Sequence, residues 1–169
     1  MKSKLLASLL GFGMLMCAGN AFAGPECIGD VCGYNCMRYN GYTKCSRTPQ
    51  GACLGYNGYL VCWDPEVRTW EQAECKGYNG DIACGYDCVG YNGQVACAQT
   101  PQGACAGYNG KVVCWDPPVR THKKAECVTY NGHIACGFGC AYGNGQAKCS
   151  ESPDGFCRYD NGTVKCWEP

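Results

Sequence analysis

Residues 75–84 read Cys-Lys-Gly-Tyr-Asn-Gly-Asp-Ile-Ala-Cys, and the same frame, with a cysteine at each end and Asn-Gly at the centre, occurs eight times in the chain. Asn-Gly supplies the two consecutive positive-φ residues of a type I′ turn, whose twist matches that of two antiparallel strands. Counting outward from this turn places Cys75 opposite Cys84 at a non-hydrogen-bonded pair, where side chains approach most closely. Each frame is therefore predicted to be a β-hairpin closed at its base by a disulfide.

The frames fall into three tandem repeats. Two sets of corresponding cysteines are spaced 52 residues apart: Cys36, Cys88 and Cys140, and Cys62, Cys114 and Cys166. Each repeat holds three frames, which we number as hairpins 1 to 9 in chain order; hairpin 1, residues 27–32, lacks two residues from each strand and has Gly29-Asp30 at its turn. A fixed period of this length predicts a small, disulfide-rich, all-β repeat fold, with the hairpins stacked as an elongated array.

The sequence divides into six segments. These are a signal peptide (residues 1–23), repeat 1 (24–62), a linker (63–74), repeat 2 (75–114), a second linker (115–126) and repeat 3 (127–169). In the linkers, Asp64-Pro65 and Asp116-Pro117 have the residue types that cap and begin a short helix. An extended crossing strand fits these segments equally well.

Pairing within each hairpin is the favoured disulfide scheme. The truncated hairpin 1 supports it, because losing two residues from each strand keeps both cysteines opposite each other and on one face. Six cysteines per repeat allow 15 connectivities, and bridges between hairpins, such as Cys84 with Cys88, would tie neighbouring hairpins together. The favoured pairs, in order, are Cys27 and Cys32, Cys36 and Cys45, Cys53 and Cys62, Cys75 and Cys84, Cys88 and Cys97, Cys105 and Cys114, Cys127 and Cys136, Cys140 and Cys149, and Cys157 and Cys166.

The first 23 residues predict export. Lys2 and Lys4 precede an apolar stretch at positions 5–16, and residues 21–23, Ala-Phe-Ala, have the small-x-small form of a cleavage site. Cys17 is not preceded by the small residues of a lipoprotein signal. Cleavage after Ala23 would leave 18 of the 19 cysteines, an even number that suits complete pairing in the periplasm, at the cell surface or in the secreted state.

Composition explains the need for crosslinks. Residues 24–169 contain only 17 Leu, Ile, Val and Phe, too few for a hydrophobic core of ordinary size. Closing a ten-residue loop contributes about 2.5 kcal/mol in the chain-entropy model, whereas an isolated hairpin is marginal in water. Removing Lys2 and Lys4 leaves 12 basic and 14 acidic residues, so a net charge of −2 gives no indication of nucleic-acid or anionic-membrane binding. No second apolar run approaches the ~20 residues of a membrane span.

A recurring tyrosine before the turn is the first candidate for binding. It lies on the hairpin face opposite the cysteines, across from a residue that changes between hairpins, which is the pattern of a repeated binding surface. The alternative is structural, with each aromatic ring covering a flanking glycine. The candidate residues, which we call the turn-flanking tyrosines, are Tyr39, Tyr56, Tyr78, Tyr91, Tyr108 and Tyr130.

Tryptophan marks the end of each repeat. Trp63, Trp115 and Trp167 directly follow the last cysteine of repeats 1, 2 and 3. At a boundary of this kind the expected role is to seal one repeat against the next, and a sugar-stacking platform is the alternative for Trp63 and Trp115.

The sequence carries no catalytic, metal-binding or cofactor signature. His122 and His133 are the only histidines, neither recurs in the other repeats, and no serine lies in a recognisable nucleophile motif. There is no Cys-x2-Cys, no His-x3-His and no haem-attachment motif. We therefore predict a non-enzyme without cofactor or metal.

Two kinds of function fit this sequence. The first is a binding module for a glycan or another envelope component, in which weak aromatic sites add through multivalency. The second is a structural or protein-interaction scaffold, for instance a coat or surface protein. A protease inhibitor or toxin, with the seven-residue loops between the second and third hairpins as reactive segments, is a third and less favoured option. The expected partners are therefore a polysaccharide or another surface protein.

Overall fold

The computed structural model describes residues 24–169, which form an all-β fold without helices. The predicted signal peptide and Cys17 lie outside these residues. The strands are β1 (Glu26–Ile28), β2 (Val31–Tyr39), β3 (Tyr42–Ser46), β4 (Ala52–Tyr56), β5 (Tyr59–Trp63), β6 (Glu74–Tyr78), β7 (Asp81–Tyr91), β8 (Gln94–Ala98), β9 (Ala104–Tyr108), β10 (Lys111–Trp115), β11 (Glu126–Tyr130), β12 (His133–Gly143), β13 (Gln146–Ser150), β14 (Phe156–Asp160) and β15 (Thr163–Trp167). Across residues 24–169, no helix has the length and apolar character needed to cross a membrane.

The hairpin registers are those expected from the sequence. In hairpin 4, Cys75 is the partner of Cys84 and Tyr78 is the partner of Asp81. Asn79 and the glycine after it both have positive φ, +48° and +100°, in agreement with a type I′ turn.

All nine intra-hairpin disulfides are present, so the favoured pairing scheme is confirmed. The Cα atoms of Cys75 and Cys84 are 4.0 Å apart, the close approach of a non-hydrogen-bonded pair. A set of bridges of this size indicates that the chain folds in an oxidising environment, extracellular or periplasmic.

The first two hairpins of each repeat share one long strand. The three-residue links predicted between them continue β2, β7 and β12, so each repeat consists of a three-stranded sheet followed by a two-stranded hairpin. In β7 the register shifts between Tyr86 and Val89, where Asp87 has a φ of +48°. This irregularity allows one continuous strand to serve two successive hairpins.

Successive hairpins stack face to face. Strands β4 and β5 contact β2 and β3 on one side and β6 and β7 on the other. The tyrosine-bearing face of each inner hairpin lies against the cysteine-bearing face of the next, so that a Cβ atom on Gly77 would lie only 2.5 Å from Cγ of Tyr56. Stacking therefore covers both faces of the inner hairpins, the one that carries the cysteines and the one that carries the turn-flanking tyrosines.

Small apolar clusters fill the two junctions between repeats. At the first junction Ala52, Ala73 and Tyr86 are buried, and Trp63 packs against them. The linker beside this cluster consists of bends and irregular backbone, so the short helix proposed for the linkers is wrong. A backbone hydrogen bond of 2.8 Å from Ala73 N to Gln50 O fixes the linker to the preceding loop instead.

Candidate binding surface

The turn-flanking tyrosines form a row along one edge of the stack. Each is the residue before the turn of its hairpin, and the rings of Tyr56 and Tyr78 lie on glycines of the following hairpins. Tyr78, Tyr91 and Tyr108 nevertheless remain between 36% and 39% exposed. Part of each of these three rings is therefore available to a ligand, while the rings of Tyr78 and Tyr91 also support the stack through Gly90 and Gly107.

Two further tyrosines lie beside this row, on the partner strands of hairpins 2 and 3. Tyr42 and Tyr59 stand directly across the strands from Tyr39 and Tyr56. They are 71% and 66% exposed, far more than the turn-flanking tyrosines. We call the six turn-flanking tyrosines together with Tyr42 and Tyr59 the tyrosine edge.

An open groove lies beside Tyr59, between hairpins 3 and 4. Its lining combines one aromatic ring with an amide, a carboxylate and two aliphatic side chains. The lining residues are Asn57, Tyr59, Val61, Gly80, Asp81 and Ile82. Such a mixture suits a sugar, which presents apolar C–H groups and hydroxyls side by side.

The turns themselves form a ladder of asparagines. Asn144 Nδ2 donates a 3.0 Å hydrogen bond to the carbonyl oxygen of Gly162 in the next turn. At Gly80 and Gly93, a Cβ atom would lie 3.3 Å from the amide nitrogen of the asparagine in the preceding turn. One amide hydrogen bond therefore joins the tips of hairpins 8 and 9, and in the inner turns the amides lie beside the glycines of the next tip.

Trp63 and Trp115 lie inside the junctions between repeats. The Trp63 ring meets Tyr86 edge to face, with ring centroids 5.8 Å apart, and Trp115 meets Phe138 at 5.5 Å. Both tryptophans are half-buried. Their geometry is that of residues sealing the repeats, with only a partial surface left for a ligand.

The seven-residue loops are held down by carboxylates. Asp64 Oδ1 accepts hydrogen bonds of 2.8 Å from the backbone N–H groups of both Arg47 and Thr48. Asp116 and Glu168 occupy the same place in repeats 2 and 3. Each loop is therefore fixed to the segment that follows β5, β10 or β15.

This arrangement lowers the pKa of one of these three carboxylates, Glu168. A hydrogen bond from the Ser150 hydroxyl is the main cause that holds the pKa of Glu168 below its ordinary value. Desolvation opposes the shift, and the backbone N–H groups of Ser152 and Glu151 support it. The charged form of Glu168 is therefore the one that fits the loop.

Trp70, Phe156 and Trp167 are among the exposed aromatic residues that the sequence did not single out as candidate binding residues. Trp70, in the first linker, is 76% exposed, and the Arg68 guanidinium lies 5.8 Å from its ring centroid. The second linker has His122 at the corresponding position, so the repeat pattern gave no signal for Trp70. Phe156 and Trp167, on the last hairpin, lie beside each other with ring centroids 5.8 Å apart.

His122 and His133 lie apart from any cluster of possible metal ligands in the part of the chain that the structure describes. Between residues 24 and 169, no group of three or more His, Cys, Asp or Glu side chains is arranged to hold a metal ion. His133 stands across the strands from Tyr130, at the position that varies between hairpins.

Comparison of the chain with protein-family models, with curated proteins and with solved structures finds no match.

Proposed function

We propose that this protein is an exported, non-catalytic binding module for a polysaccharide or another repetitive component of the cell envelope or cell surface. The tyrosine edge is the observation that carries the proposal. It presents partly exposed aromatic rings on hairpins 2 to 7, along a scaffold whose strands are fixed by disulfides. Aromatic rings stack on the apolar faces of sugars and contribute modestly at each contact.

Multivalency would allow such weak contacts to add up to a useful overall affinity for a polymer. Each ring alone contributes little, but rings on one rigid body act on a repetitive ligand at high effective concentration. Rigidity also lowers the entropy lost on binding, since the strands that carry the rings are already ordered. A polymer with a regular repeat is therefore the ligand that the tyrosine edge fits best.

A structural scaffold is the second candidate, and one observation favours it. The rings of Tyr56, Tyr78 and Tyr91 fill space that glycines leave open in the next hairpin. Under this alternative the tyrosines hold the stack together and bind nothing.

Co-sedimentation with insoluble cell-wall polysaccharide tests the proposal. The variant Tyr42→Ala/Tyr59→Ala removes the two most exposed rings of the edge, and we expect weaker sedimentation with an unchanged thermal midpoint. Each lost ring should weaken binding by about 0.5 to 1.5 kcal/mol. The quadruple variant of Tyr56, Tyr78, Tyr91 and Tyr108 to Ala should abolish sedimentation and also lower the thermal midpoint.

Gln94→Ala is a matched control on the same edge, because Gln94 faces Tyr91 but has no ring. We expect it to sediment like the wild type. If both tyrosine variants sediment like the wild type while the quadruple variant melts earlier, the tyrosines are structural and the scaffold function replaces the binding function.

A further inference from the structure

The outer face of hairpin 9 differs from the corresponding faces of hairpins 3 and 6. In hairpin 3 this face pairs Leu54 with Val61 at its centre, and in hairpin 6 it pairs Ala106 with Val113. Both faces are apolar, and the next hairpin covers each of them in part, chiefly over β4 and β9. Hairpin 9 has no covering hairpin among the described residues, and its side chains have changed accordingly.

We call this surface the end face. It consists of three cross-strand pairs on β14 and β15, one aromatic, one cationic and one polar: Phe156 with Trp167, Arg158 with Lys165, and Asp160 with Thr163. Five of these side chains are exposed and Asp160 is partly so. A shallow concave surface runs across the end face from the aromatic pair to Asp160.

The aromatic pair is unlike the tryptophan contacts at the junctions. Trp63 and Trp115 each lie against a ring from the next repeat, whereas Trp167 lies against Phe156 of its own hairpin. Alanine occupies the position of Phe156 in the other two repeats. Phe156 and Trp167 are each 52% exposed, so the pair forms an open platform rather than a seal.

Neither member of the cationic pair forms an ion pair within the described residues. Arg158 and Lys165 are directly opposite each other, an arrangement of like charges that destabilises a strand pair. The sole ion pair within residues 24–169 joins Lys123 to Asp154, so neither cation of the end face has a carboxylate within 4.0 Å. An anion placed over this pair would relieve the repulsion and form charge-assisted hydrogen bonds.

We propose that the end face binds an acidic saccharide, a sugar unit that carries a carboxylate. The sugar ring would stack on Trp167 and Phe156, its carboxylate would lie between Arg158 and Lys165, and the hydroxyls of the next unit in the saccharide would reach Asp160 and Thr163. Neighbouring pairs on one face are two residues apart, about 7 Å, which is close to the dimension of one sugar unit. This inference rests on the proposed polysaccharide-binding function but assigns it a second, charge-selective site.

Isothermal titration of the oxidised chain tests the assignment. The probe is a hexasaccharide of galacturonic acid, and the matched probe is its methyl ester, which keeps the rings and removes the charge. We expect the wild type to bind the acid at least about tenfold more tightly than the ester, and to lose most of this preference at high salt. Equal affinity for the two probes, or no binding of the acid, would overturn the proposal.

Two variants locate the binding. Trp167→Ala removes the platform, and Arg158→Gln/Lys165→Gln removes both charges while keeping side-chain length. Each should weaken acid binding at least about tenfold, whereas Lys111→Gln and Trp70→Ala, which remove an exposed cation and an exposed ring elsewhere, should bind like the wild type. If the end-face variants bind like the wild type, the end face is not the site.

Two further measurements separate the possible failures. If the wild type is an oligomer that Trp167→Ala converts to a monomer, the end face is a contact between copies of the chain and the saccharide assignment is wrong. If the wild type fails to bind the hexasaccharide but still sediments with cell-wall polysaccharide, the end-face proposal is wrong and the function proposed for the tyrosine edge is retained.

Discussion

At the scale of single residues, the stack depends on a match between glycine and tyrosine. Tyr56 occupies the space that a side chain on Gly77 would need, and the same relation joins Tyr78 to Gly90. Hairpins 8 and 9 reverse the match, because Gly143 stands where a tyrosine is expected and Tyr159 of the next hairpin fills the space. Either order gives one large and one absent side chain at the contact, so volume is conserved.

We predict that Gly77→Ala destabilises the oxidised protein by about 1 to 3 kcal/mol, because its Cβ would overlap the Tyr56 ring. Thermal unfolding of the purified variant measures the effect. Gly77→Ala/Tyr56→Ala should be less destabilised than the sum of the two single variants, since the methyl group then meets no ring. Additive losses would show that the two positions are not in contact.

The stacking contact marks the limit of what the sequence predicted. Hairpins, registers and bridges depend on residues within ten positions of each other, so Asn-Gly and the cysteine spacing were enough to predict them. Tyr56 and Gly77 belong to different hairpins, and no local rule pairs them. The exchange of glycine and tyrosine at positions 143 and 159 was visible in the sequence and is the signal that would have found this contact.

Only part of the candidate site could be predicted from the sequence, for the same reason. The turn-flanking tyrosines were identified because they repeat. Trp70 and Phe156 occur once, and their exposure depends on which neighbours cover them. The sequence could not show that Arg158 and Lys165 lie beside the Phe156 ring on an uncovered face, because that requires knowing where the stack of described hairpins ends.

At the scale of elements, each loop is joined to the strand pair that follows it by one carboxylate. In repeat 3 that carboxylate is Glu168, whose folded-state pKa is lowered chiefly by the Ser150 hydroxyl. Because the folded pKa lies below the unfolded one, this contact contributes stability above about pH 4.5 and loses it as the pH falls through the folded pKa.

We therefore predict that acid loosens the loop of repeat 3. The backbone amide resonances of Glu151 and Ser152, followed by NMR, should shift with a midpoint below about pH 4.5. In Glu168→Gln the side chain no longer titrates, and this pH-dependent shift should disappear. A midpoint at or above the ordinary glutamate value would contradict the role of the Ser150 hydrogen bond.

At the scale of the whole molecule, crosslinks take the place of a core. The buried apolar clusters contain only a few residues at each junction, whereas nine bridges close the hairpins. Ordering a residue costs about 1 to 2 kcal/mol, a cost that these clusters cannot offset alone. Since each hairpin contacts mainly its neighbours, loss of the bridges removes support everywhere along the stack.

Full reduction should therefore unfold residues 24–169. We expect the intact mass to rise by about 18 Da, two hydrogens for each bridge, and the β-sheet signal in circular dichroism to be lost. Iodoacetamide labelling before reduction serves as the control and should modify no cysteine. Retention of the β-sheet signal in reductant, or labelling of two or more cysteines in the folded protein, would show that crosslinks are not what maintains this fold.

The position of each bridge at the base of its hairpin also determines how the protein would respond to a pull on its two ends. Tension would pass from strand to strand through the sulfur atoms and would bypass the turn, since the bridge is the shorter covalent path. Cys75 and Cys84 are nine positions apart, so the eight residues between them, about 28 Å of extended chain, would stay slack. Even in an unfolded chain, the residues within the bridged loops would add nothing to the extension, and the hairpin tips would carry no load.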